Sequence, residues 1–105
     1  METLLVITNC PDEESANAIA LAVIEERLAA CVNILPRVQS LYRWQGKVES
    51  TSEIPLFLKS TAAGYPALET RIRQLHPAEL PEIIALPISR GLPAYLNWVT
   101  AETIK

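Results

Sequence analysis

The chain has 105 residues, half of them hydrophobic and a fifth charged, which predicts one domain over residues 1–105 with enough apolar material for a core and no signature of disorder. Its formal net charge of −3, with nine basic residues scattered along the chain, argues against a nucleic-acid partner and makes a neutral or cationic ligand the easier electrostatic match. The N-terminal METLLVIT carries Glu2 and only a short apolar run, which fits neither a membrane span nor a secretory leader; the expected location is cytoplasmic, with Cys10 and Cys31 as free thiols.

Residues 4–8 form a continuous apolar run of the kind found in a strand buried on both faces, and Asn9, Cys10 and Pro11 end it. Asp12 is placed to cap a helix, with Glu13 and Glu14 in the first turn where the helix dipole favours negative charge. This helix is expected to run to Ala29 or Ala30 and to bury Ala16, Ile19, Ala20, Val23, Ile24 and Leu28. A second strand opens at Cys31 and Val32, and Pro36, which cannot donate to a ladder, predicts a bulge or an edge position.

Residues 38–59 read as a long hairpin turning over at Gln45 and Gly46, with Val38, Ser40, Tyr42 and Trp44 on one face of the outgoing arm. Pro55 predicts a second bulge or edge site on the return arm. From Cys31 to Gln45 the first arm can extend on the order of 45 Å at about 3.3 Å per residue, while a domain of this size has a radius of gyration of only about 13 Å. Such an overhang leaves open strand edges that invite another chain, so oligomerisation is expected.

After Thr61 the pattern turns helical, with Pro66 suited to the first turn and Leu68, Ile72 and Leu75 at helical spacing. Glu69 and Arg73 are spaced as an ion pair on its exposed face, and Pro77 stops the helix. Residues 82–88 read as a short strand bracketed by Pro81 and Pro87, and Gly91 with Pro93 starts a last helix through Trp98 to about Thr103. The fold class is therefore α+β: a ferredoxin-like split βαβ (βαββαβ) with a long central hairpin and an extra C-terminal helix. Right-handed crossovers put both main helices on one face of the sheet, leaving the other face for a partner subunit to bury.

Several stretches resemble the CutA divalent-cation tolerance family: RLAACVNILP (27–36), SLYRWQGKVE (40–49), Glu53 and Lys59, HPAELPEIIALPI (76–88) and YLNW (95–98), with TNCPDEESA near the start also fitting. The resemblance runs in order over nearly the whole chain. It implies a ferredoxin-like homotrimer with hairpins reaching onto neighbouring subunits, a cytoplasmic role in metal tolerance, copper binding in some members and no enzymatic reaction. The implied assembly is similar to that of the nitrogen-regulatory PII signalling proteins, which suggests ligand sensing by analogy. The family commonly writes its loop as HPYE, where this chain has Ala78. At the positions of the copper site described for some members the chain has Thr8, Leu75 and His76, so only the last of those ligands is retained.

Cys10, Cys31 and His76 are the side chains soft enough to favour copper, and Glu79 and Glu82 offer oxygen donors for harder ions. No cofactor is required; copper or another divalent cation is the candidate ligand. Tyr42, Trp44 and Trp98 are expected as interface anchors of the trimer. Lys59 is expected to pair with Glu53 or Glu49, or else to hold an anion at a subunit junction, and Arg27 to pack its stem along the first helix. Lys59, Glu53, Glu79, Glu82 and Trp44 together make the expected ligand pocket between subunits. Catalysis is not expected: nothing orients His76 as a base for Cys31, and the loop NCPDEE lacks the arginine an acylphosphatase needs to hold phosphate. An RNA-recognition module would need basic and aromatic strands in the places taken by RVQSLYRW and PLFLK. Two function classes remain, a metal-responsive or metal-binding trimer and a signalling scaffold that binds a small ligand or a partner protein in its inter-subunit clefts.

Overall fold

One strand organises the molecule. In the computed structural model, which describes residues 2–104, β4 (Lys47–Thr61) runs for 15 residues and serves different partners along its length. Its C-terminal half lies between β1 (Thr3–Cys10) and β2 (Cys31–Ile34), and its N-terminal half pairs with β3 (Val38–Trp44) alone. With β5 (Ile83–Pro87) on the far side of β1, the sheet order is β2-β4-β1-β5, all of it antiparallel. Helices α1 (Glu13–Glu25) and α2 (Tyr65–Leu75) connect the strands, and α3 (Pro93–Glu102) closes the chain. This is the expected ferredoxin-like arrangement with its additional helix.

The hairpin turn uses two residues with positive φ, Gln45 at 51° and Gly46 at 80°, between the paired Trp44 and Lys47. That geometry matches the right-handed twist of the flanking strands. Pro36 sits in a bulge. The register passes from Ile34↔Leu56 to Val38↔Glu53, so the β2–β3 side carries one more residue than β4 across the break. Pro55 lies at the same place on β4, and its carbonyl accepts the Leu35 N–H at 3.0 Å. Both prolines thus fall where the ladder is already interrupted.

Alternation along β1 decides where the core sits. Leu4, Val6, Thr8 and Cys10 register with Ser60, Leu58, Leu56 and Ile54, and this face is buried under Ile19 and Val23 of α1 and Leu68 and Ile72 of α2. The Thr8 hydroxyl is buried there without a hydrogen-bond partner. The opposite face carries Leu5, Ile7, Phe57 and Lys59, all half-buried, with Ile84 and Leu86 exposed on β5. The apolar run at residues 4–8 is therefore not buried on both faces within one subunit, because both main helices pack on the same side.

α3 covers part of that second face. It packs against β4 and β1, with Val99 fully buried and Tyr95 beside Cys31. Its last carbonyls, on Ala101 and Glu102, accept from the Arg27 guanidinium at 2.8 and 3.2 Å, and the Ile104 N–H bonds to the Arg27 carbonyl. Arg27 is thus a cap for another helix, a long-range role that its expected packing along α1 does not include.

Three helical expectations need correction. Asp12 caps α1 as expected, accepting the Ser15 N–H at 2.7 Å, but the helix ends at Glu25. Arg27 takes a left-handed φ of 58°, and the N–H groups of Leu28 and Ala29 return to the Val23 carbonyl, which closes the helix without a glycine. Ile24, expected in the buried stripe, is exposed. In α2, Glu69 accepts from the Tyr65 hydroxyl at 2.8 Å and makes no pair with Arg73; the ion pair among the described residues joins Arg71 to Glu26 at 3.0 Å across the two helices.

Beyond Glu53 the β3–β4 ribbon has no further sheet neighbour among the described residues. Its seven paired residues per strand give an overhang of about 23 Å. The radius of gyration is 14.1 Å against about 13 Å for a compact domain of this length, and the molecule is 44 Å along its long axis. Its accessible surface, 6394 Å², exceeds the value of about 5,800 Å² expected for a monomer of this mass. No helix among the described residues is long and apolar enough to cross a membrane.

Candidate functional site

The root of the ribbon and the loop after α2 enclose a cleft of about 530 Å³. Tyr42 and Trp44 reach it from one face of β3, as their even spacing requires, and Glu53 enters from β4. Glu79 and Glu82 come from the loop between α2 and β5. No lysine or arginine among the described residues lines it.

The loop is held in place by His76. Its Nδ1 accepts the Ala78 N–H at 3.1 Å, so Nε2 carries the proton and donates to the Asn9 carbonyl at 2.6 Å. The neutral imidazole therefore commits both nitrogens to backbone groups, pinning the segment after Pro77 to the end of β1. The Asn9 side chain completes the join by donating from Nδ2 to Glu82 Oε1 at 3.2 Å. Asn9, with no part in the sequence reading beyond ending a strand, is the residue that positions one wall of the cleft. Ala78 lines the cleft with a methyl group only.

Of the expected pocket residues, Glu53, Glu79, Glu82 and Trp44 are brought together and Lys59 is not. Lys59 lies six residues further along β4 from Glu53, about 20 Å away, on the sheet face shared with Leu5 and Cys31. There its ammonium donates to Asn33 Oδ1 and stands 3.8 Å from Cys31 Sγ. It meets neither Glu53 nor Glu49, because distance along the strand separates them although all three have the same parity on β4.

The expected copper ligands are likewise divided. Cys10 is buried on the helix-covered face, where desolvation pushes its thiol up to about 11, with Asp12 and Glu53 adding to the rise and a bond with Ser15 opposing it. Cys31 is half-buried on the opposite face beside Tyr95 and Lys59. His76 adjoins Asn9 and hence Cys10, but not Cys31. Within one subunit the three do not share an ion, and among the described residues no three His, Cys, Asp or Glu side chains converge on a metal position. Of the expected interface anchors, Tyr42 is exposed and Trp44 half-buried on the ribbon, while Trp98 lies exposed on α3 with its ring 5.5 Å from that of Tyr95.

The family model described as CutA1 divalent ion tolerance protein matches residues 4–102. The chain belongs to the CutA1 family. A CutA protein named for divalent-cation tolerance, from Thermus thermophilus, is 50% identical over 103 residues, covering 98% of this chain and 99% of its own length. The solved structure of a divalent cation tolerance protein from T. thermophilus superposes with a TM-score of 0.94 at 48% identity, over 96% of this chain and 98% of that one. The mouse CutA protein is 49% identical over 94 residues, 90% of this chain, which spans about half (53%) of its length. A structure named as the PII-like protein CutA from Nostoc sp. PCC 7120 in apo form matches with a TM-score of 0.88 at 37% identity, covering 99% of this chain and 98% of that one. The family and the ferredoxin-like fold thus agree with the resemblance read in the sequence.

Proposed function

We propose that the protein works as a homotrimer in divalent-cation tolerance and that the cleft at the root of the ribbon is its cation-binding site. The observation that carries this reading is the composition of the cleft wall, with Glu53, Glu79 and Glu82, two aromatic rings and no basic side chain among the described residues. Such a wall attracts cations and repels anions. The trimer is supported by what one copy leaves uncovered. Leu41, Val48, Ile84 and Leu86 are each between 45% and 71% exposed, along the ribbon and the open sheet face. A neighbouring copy that covered the ribbon would also roof the cleft, which places the site at a subunit boundary. The compartment we assign is the cytoplasm, whose reducing conditions suit two thiols on opposite faces of the sheet.

The protein is a binding protein on this reading and not a catalyst, since the cleft wall offers carboxylates without a nucleophile oriented by a base. Calorimetric titration with Mn²⁺ tests it. Saturable binding that weakens in Glu79→Gln and Glu82→Gln is expected, and no binding to the assembled protein would refute the cleft as a cation site.

Copper at Cys10 and His76 is a second reading, favoured by the His76 bond to the carbonyl of Asn9, next to that thiol. Copper would have to displace at least one backbone bond of the imidazole and ionise a thiol whose burial favours its neutral form. Copper titration of reduced protein should then release protons and lose its heat in Cys10→Ser. Unchanged heat in that variant excludes this site.

A further inference from the structure

We draw no further inference here: the strongest candidate, the side-chain cluster of Cys31, Lys59 and Tyr95 on the second face of the sheet, offers a single thiol on surface that a neighbouring copy shares, and nothing in the structure shows what covers it.

Discussion

The two halves of β4 show how differently one strand can be used. From Ile54 onward it is the central strand of a four-strand sheet, with Leu56 and Leu58 fully buried beneath the helices. From Lys47 to Glu53 it has one neighbour, and Val48 is 67% exposed. The first half stabilises the subunit by burial. The second contributes little to it and instead offers surface, edges and the aromatic rim of the cleft. Pro55 and the bulge at Pro36 mark the boundary between the two uses of the strand.

The largest effect expected from this contrast is on the packed half. Leu58→Ala should lower unfolding free energy by about 2–5 kcal/mol in urea titrations, since the side chain has no solvent-facing route of relaxation. Leu41→Ala on the ribbon should stay within about 0.5 kcal/mol for the folding of one subunit. Comparable losses at both sites would erase the distinction.

At the junction between the halves and the loop, His76→Ala should cost about 1–3 kcal/mol, because the Asn9 carbonyl and the Ala78 N–H lose their partner. It should also weaken cation binding by freeing the loop that carries Glu79 and Glu82. A variant of wild-type stability and affinity would show that the imidazole does not hold that wall.

Cys10 gives a pH-dependent test of the buried half. Its folded-state pKa is raised from 9.0 to about 11 by desolvation, so the unfolded chain releases the thiol proton first. Stability from the neutral buried thiol is intact below about pH 9 and falls as pH rises from there through about 11. Cys10→Ala should flatten that part of the profile in pH-dependent melts, and an unchanged slope would point to other groups. A small effect of opposite sign is expected at Thr8, whose hydroxyl is buried unpaired. Thr8→Val keeps the shape and removes the desolvated hydroxyl, so it should be neutral or stabilising by up to about 1 kcal/mol, measured by denaturant midpoint.

Features governed by local chemistry were legible in the sequence. Asp12 announces the start of α1, Gln45 and Gly46 the hairpin turn, and Pro36 the bulge. Period-two alternation correctly aimed Tyr42 and Trp44 to one side, and Glu53, Glu79, Glu82 and Trp44 do line one cleft. What escaped depends on distant partners. Lys59 shares its strand and its face with Glu53, yet the distance between them gives it to Asn33 and Cys31 on β2. Arg27 ends α1 in a left-handed conformation with no glycine to signal it, and caps a helix over seventy residues away. Asn9 binds through its carbonyl to His76 and through its amide to Glu82, and neither contact has a sequence signature.

The central claim is that the ribbon and the open sheet face are shared between three copies. Sedimentation equilibrium at low micromolar concentration tests it most directly, with Leu41→Lys and Ile84→Lys variants alongside the native chain. A mass of three chains for the native protein, lowered in both variants while their far-ultraviolet dichroism stays native, is the predicted result. A well-folded single chain at the same concentration would contradict it.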